Sequence, residues 1–117
     1  MGLLVLENQR AGNICVLEFN GTVDMGNVDE LSNRLKDVHK RGLSKVVVDM
    51  AKIESFSSAG WGSLVEAQFR FTQSGGELIL SGMQETQLRV FDLMGLEESF
   101  KQFPDIQTAC GKFQVGK

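Results

Sequence analysis

The segment Val46-Val47-Val48-Asp49-Met50-Ala51-Lys52-Ile53-Glu54-Ser55-Phe56-Ser57-Ser58-Ala59-Gly60-Trp61-Gly62 constrains the fold of this chain more than any other. Its consecutive β-branched valines suit a strand buried on both faces. Leu64, Val65, Phe69 and Thr72 then recur at helical spacing. The segment therefore predicts a buried strand ending near Asp49, a turn, and a helix beginning near Ser58. In the turn, serine hydroxyls can cap free backbone N–H groups, while Ala59, Gly60 and Gly62 carry almost no side chain and let another surface approach closely.

The flanking sequence supplies the other elements. Leu3 to Asn8 and Ile14 to Phe19 are short apolar runs separated by Gln9-Arg10-Ala11-Gly12-Asn13, which predicts an antiparallel hairpin. From Asn27 to His39, the positions Val28, Leu31, Leu35 and Val38 mark one face of an amphipathic helix stopped by Gly42. Asp24 precedes that helix at its positive end, where Asn27 and Asp29 have a capping explanation. The Ser58 helix should end near Ser74-Gly75-Gly76, and Glu77 to Ser81 reads as another strand. Gln84 to Met94 is helical, with Leu88, Phe91 and Met94 on one face and Gly95 as terminator; Pro104 opens a last short helix. Strands and helices alternating from Asn27 onward favour parallel pairing through right-handed crossovers. The expected class is α/β, a mixed sheet with a leading hairpin and helices packed mainly on it.

With 117 residues and no linker or repeat, the chain is expected to form a single domain over 1–117. Twelve basic against fifteen acidic residues give a net charge of −3. The one basic cluster, Lys36, His39, Lys40, Arg41 and Lys45, complements a helix C-terminus, so nucleic acid is not an expected partner. No apolar run reaches signal-peptide or membrane-spanning length, so no membrane partner is expected and the cytoplasm is the expected location. Cys15 and Cys110 have neither metal-ligand spacing nor the density of a disulfide framework and read as reduced, packed thiols. No metal or cofactor is expected.

Four motifs in order then matter together: Gly21-Thr22-Val23-Asp24, the run from Asp49 to Gly62, Leu78-Ile79-Leu80-Ser81-Gly82, and Leu88 through Phe100. Over nearly its whole length the chain resembles the STAS domains of bacterial anti-sigma factor antagonists, whose phosphorylatable serine lies in a strand-to-helix turn of this kind. The resemblance implies a compact mixed sheet of four or five strands with about four helices. It also implies a non-catalytic, partner-switching phosphoprotein of transcription regulation. Unmodified, such a protein binds an anti-sigma factor with serine kinase activity and so releases a sigma factor. Phosphorylation at Ser58 abolishes binding, and a metal-dependent serine phosphatase restores it; the ATP and metal belong to those partners.

Aligning Asp49, Phe56 and Gly60 with the family places Ser58 at the switch. Ser57 is the alternative, because it stands where many relatives carry an acidic residue. Asp24 matches the family's acidic residue in the loop before the first helix, which assists docking or phosphorylation; its other reading is a helix-start carboxylate. Asp49 matches a structural acid at the strand end. Trp61 replaces the usual leucine and reads as either a core plug or an exposed binding anchor. The expected partner-binding set is Asp24, Ser57, Ser58, Ala59, Gly60, Trp61 and Gly62, with the two glycines as steric requirements. Met83 and Met94 read as packing residues.

Two other classes compete. A serine-nucleophile enzyme would also place a hydroxyl at such a turn, but no Gly-x-Ser-x-Gly elbow surrounds Ser57 or Ser58, and His39, the one histidine, reads as solvated or complementing the first helix's dipole. A non-phosphorylated scaffold or sensor subunit of a larger STAS assembly would keep the fold and change the task. Gly111-Lys112-Phe113 lacks the spacing and the hydroxyl residue of a phosphate loop.

Overall fold

The structure, a computed structural model, describes residues 2–114. Two strands open it, β1 (Leu3–Arg10) and β2 (Ile14–Val23), paired antiparallel in register Leu3 with Gly21 through Arg10 with Ile14. Their turn contains Gly12 and Asn13, both at positive φ, which these two residue types tolerate. The chain continues through α1 (Val28–Lys40), β3 (Lys45–Phe56), α2 (Ser58–Gln73), β4 (Glu77–Ser81), α3 (Glu85–Leu93), a 3-10 turn at Leu96–Glu98, β5 (Gln102–Phe103) and α4 (Ile106–Gln114). The sheet order is β1-β2-β3-β4-β5, with β2 to β5 parallel. This is the expected α/β mixed sheet with an N-terminal hairpin, here with five strands and four α-helices.

The valine run explains the layering. Val46, Val48 and Met50 enter the main core with Leu17, Phe19, Leu35, Leu64, Phe71 and Phe91, whereas Val47 joins Ile14, Val16, Ile79 and the α4 residues Ala109 and Cys110 on the other side. A strand sandwiched in this way needs apolar residues at successive positions, which is why alternation is absent from its sequence.

Several expectations change. β3 does not end near Asp49 but continues to Phe56, because β2 extends with it and pairs Asn20 with Lys52 after one register shift and Val23 with Phe56 after a second. The sequence Ala51 to Ser55 has no strand pattern; the neighbouring strand imposes one. Asp49 consequently lies inside the strand, 6% exposed, and accepts a 2.8 Å hydrogen bond from the Ser81 hydroxyl. The buried face of α2 is Trp61, Leu64, Ala67 and Phe71; Val65, Phe69 and Thr72 point outward. Met83 packs in the core, but Met94 is exposed. Asn27 occupies the N-cap position of α1 without a side-chain cap bond; it donates to the Thr22 carbonyl (2.8 Å) and accepts from the Asp24 N–H (2.9 Å), tying the loop together. His39 is not left to solvent: its Nε2 lies 2.9 Å from the Ser74 hydroxyl and its ring meets Phe71 edge-on.

Candidate functional site at the β3–α2 turn

The carboxyl ends of β2 and β3 lie side by side, with Val23 paired to Phe56, so the two segments leaving them are neighbours. The Ser57 N–H donates to the Val23 carbonyl at 3.0 Å, which locks the β3–α2 turn against the β2–α1 loop. That loop carries Asp24 and Met25, both exposed. The Asp24 carbonyl accepts from Val28 N–H at 2.9 Å, and its Oδ1 accepts from Gly26 N–H at 2.9 Å. The carboxylate is thus oriented from within its own loop. Asp24 and the serine pair, expected in one site, lie on segments that are neighbours in the structure.

At the turn the two serines differ. Ser57 is the N-cap residue, with extended backbone angles, and its carbonyl accepts from Gly60 N–H (2.9 Å) and Trp61 N–H (3.2 Å). Its hydroxyl is buried and has no hydrogen-bond partner among the described residues. Ser58 is the first residue of α2 and is exposed. The capping position therefore belongs to Ser57, and neither hydroxyl supplies the expected cap bond. No acidic residue stands in the first turn of α2, so the positive end of its dipole is uncompensated there.

The residues beyond the serines face different ways. Trp61 is 1% exposed and packs edge-on to Phe56 at 5.0 Å and against Phe91 at 6.2 Å. Of the two roles left open for it, core plug is the one the structure gives, and its side chain is absent from the surface expected to meet a partner. Gly60 is also buried: a Cβ there would stand 2.8 Å from Phe56 Cζ and 3.0 Å from Val23 Cγ1, so its small size serves the fold and not an approaching surface. Gly62 is the reverse, exposed and with open space where a Cβ would go. Of the expected set, Asp24, Ser58 and Gly62 are exposed, Ala59 is half-buried, and the Ser57 hydroxyl, Gly60 and Trp61 point inward.

A third segment, not anticipated, completes the site. Gln84 Nε2 donates to the carbonyls of Ala51 (2.9 Å) and Ile53 (2.8 Å), and the Gln84 N–H donates to Gln87 Oε1. These bonds fix the start of α3 to the tail of β3 and leave a cleft of about 320 Å³ between Phe56, Trp61, Thr86 and Val90. The Gln84-x-x-Gln87 spacing was the available signal, a capping-box pattern with an unusual first member. His39, bonded to Ser74 just past the other end of the sixteen-residue α2, stands about 24 Å along the helix from Ser58. Among the described residues no cluster of three or more His, Cys, Asp or Glu side chains could hold a metal, and no helix is long and apolar enough to cross a membrane.

Comparison with known proteins agrees with this geometry. A Thermotoga maritima protein superposes with a TM-score of 0.88 at 21% identity, covering 94% of each chain. An anti-sigma factor antagonist from Mycobacterium paratuberculosis superposes at 0.88 and 19% identity, covering 97% of this chain and 95% of that one. The Bacillus cell fate determinant SpoIIAA, in its phosphorylated form, superposes at 0.74 and 15% identity over 93% of this chain and 98% of its own. At such identities these likenesses establish the fold. The family model for the STAS domain matches residues 6–109, and with the strand-to-helix turn in place and most of the chain matched, this protein belongs to the STAS domain family.

Proposed function

We propose that this protein is a cytoplasmic anti-sigma factor antagonist, a binding protein and not an enzyme, whose unmodified form docks an anti-sigma factor with serine kinase activity and whose phosphorylation at Ser58 ends that contact. The observation that carries the reading is the contrast between the two serines: Ser58 is exposed at the head of α2, while the Ser57 hydroxyl is buried. A kinase must bring the accepting oxygen to a γ-phosphate, which favours Ser58. A phosphate there adds about −1.5 to −2 charges beside a helix N-terminus that tolerates anions, so the fold survives modification. A partner that fits the bare turn has to desolvate that charge, and without a matching cation this costs about 3 kcal/mol, roughly a hundredfold in affinity.

Asp24 and Met25, on the loop bonded to the Ser57 turn, extend the docking surface, and the Phe56–Val90 cleft borders it. A metal-dependent serine phosphatase restores the unmodified state. The distance between His39 and Ser58 supports a passive hydroxyl, since nothing on the described residues pairs with Ser58 as a base.

The test is incubation with the cognate anti-sigma kinase and Mg-ATP, followed by peptide mapping and a binding titration. Phosphate confined to Ser58, loss of labelling in Ser58→Ala with binding kept, and weaker binding by Ser58→Asp are the expected results. Label on Ser57, or none on either serine, overturns the assignment; in the second case a non-phosphorylated scaffold is the better description.

A further inference from the structure

On the face of the sheet opposite α2, helix α4 covers Ile14, Val16, Val47 and Ile79. The next positions along that face are polar: Glu18, Asp49 and Ser81 each lie two residues beyond one of these apolar side chains. Asp49 pairs with Glu18 on one side and with Ser81 on the other, so two carboxylates stand on adjacent strands. Asp49 is buried, yet neither carboxylate enters an ion pair among the described residues. Its Oδ1 accepts from the Ser81 hydroxyl, and its other oxygen has no hydrogen-bond partner among the described residues. Buried charge is ordinarily paired, and this one lacks its cation. Asp49 lines a cavity of about 560 Å³ at the carboxyl end of β4, walled also by Ala51, Pro104, Ile106 and Arg10. Gly82, at φ 69°, belongs to the same wall, and a Cβ there would stand 2.7 Å from Asp49 Oδ1, so glycine leaves the carboxylate its room. Arg10 also lacks an ion pair among the described residues; its Nε donates to Asn8 Oδ1 at 3.3 Å. By the strand register its Cα lies about 16 Å from that of Asp49, two strands across and four residues along. The bond to Asn8 draws the guanidinium along the face towards Asp49.

We propose that this cavity binds a small α-amino acid with an apolar side chain, its ammonium on the free oxygen of Asp49 and its carboxylate on Arg10. The ligand carries both charges that the wall leaves unmatched, the positive one at the buried carboxylate and the negative one at the open guanidinium. Glu18 adds to the negative field that the ammonium meets. Ala51, Pro104 and Ile106 give the apolar part of the wall, which suits an aliphatic side chain. The place is the one where ligands commonly sit on parallel sheets, outside the carboxyl ends of the strands. An anion alone would have to approach the buried Asp49, and a bare metal ion would find no group of three His, Cys, Asp or Glu side chains among the described residues. Asp105 is already committed, accepting from the Thr108 N–H at 2.7 Å at the start of α4. Because the cavity is on the α4 side and α2 covers the other side of the sheet, this reading stands whether or not Ser58 is modified.

The experiment titrates the isotopically labelled full chain with L-leucine, with isoamylamine, which is leucine without its carboxylate, and with isocaproate, which is leucine without its ammonium, following backbone amide shifts by NMR. Leucine is expected to give saturable shifts at Ala51, Gly82 and Gln107 at millimolar concentration or below, and each half-molecule to bind roughly tenfold or more weakly. Asp49→Asn, which keeps an acceptor for Ser81, and Arg10→Met, at an exposed position, are each expected to weaken leucine by roughly tenfold or more, the second with an unchanged melting temperature. Should Asp49→Asn fail to fold, Glu18→Gln tests the same negative field and is expected to weaken leucine as well. Absence of saturable shifts, or shifts that both variants leave unaltered, overturns the proposal. Isoamylamine binding as tightly as leucine would show a site for a cation in which Arg10 takes no part, and isocaproate doing so would remove the role of Asp49; either overturns the assignment to an amino acid.

Discussion

The Phe56 ring stands edge-on to Trp61, with centroids 5.0 Å apart and planes at 87°, and the two rings bracket Ser57 and Ser58 in the chain. This pair converts a strand end and a helix start into one rigid corner. Phe56 is the last residue of β3 and Trp61 lies in the first turn of α2, so their contact sets the angle at which the helix leaves the sheet and where the serines project. Phe91 packs against Trp61 from behind, and Val23, paired with Phe56 across the sheet, leads directly into the loop bearing Asp24.

Truncating Trp61 should therefore cost stability first and function second. Trp61→Ala opens a void against Phe56 and Phe91 and is expected to destabilise by about 3–5 kcal/mol in urea titration, while Trp61→Leu loses about half as much. A Trp61→Ala protein as stable as wild type would show that the ring is not a packing element.

The two glycines of the turn should respond to alanine with opposite signs. Gly60→Ala forces a methyl against Phe56 and Val23 and is expected to cost about 1–3 kcal/mol. Gly62→Ala meets nothing and is expected to gain about 0.5–1 kcal/mol, because alanine is the better helix former. Paired denaturation midpoints decide it, and equal shifts for both variants would contradict the packing described.

The element order and the position of the serine-bearing strand-to-helix turn were legible because they depend on local signals: the valine run, the spacing of Val28, Leu31, Leu35 and Val38, and the small residues after Ser58. What was not legible depends on partners distant in sequence. The extension of β3 to Phe56 comes from pairing with β2, and the orientation of α2 depends on which side meets the sheet, since Val65 and Phe69 are as apolar as Leu64 and Phe71. A helix with apolar residues on both sides gives periodicity without a direction. Gln68 is a related case: its three hydrogen bonds to the Leu78 backbone and the Ser99 carbonyl make it a core residue, yet nothing in its neighbours announces that. The burial of the Ser57 hydroxyl beside an exposed Ser58 is a matter of a single helical step and could not be read from an adjacent pair of identical residues.

Neither cysteine should behave as a redox sensor. Cys15 is buried in the main core, and burial pushes its thiol up to about 11; burial also raises Cys110, on the other side of the sheet. Thiolate is the reactive form, so a native sample at pH 8 is expected to resist aromatic disulfide reagents and to release two equivalents of label only after unfolding. Rapid labelling of either residue in the native protein would contradict this.

Two glutamates held low by cationic partners should contribute to acid sensitivity. A hydrogen bond from Arg41 holds Glu7 below its ordinary value of 4.5, with Arg34 assisting. Burial pushes Glu77 up, but hydrogen bonds from Lys112 and Lys101 outweigh it and leave this carboxyl lowered as well. A carboxyl with a lowered folded value binds its proton more readily in the unfolded chain, so its contribution is complete above 4.5 and is lost as pH falls from there through the folded value. Urea midpoints are therefore expected to change little between pH 7 and about 5.5 on account of these groups and to fall below about 4.5. Arg41→Met and Lys112→Met should each start from a lower midpoint at pH 7 and lose less of it on acidification, because the interaction being titrated has already been removed. Variants whose acid loss matches that of wild type would show that other carboxylates carry the pH dependence.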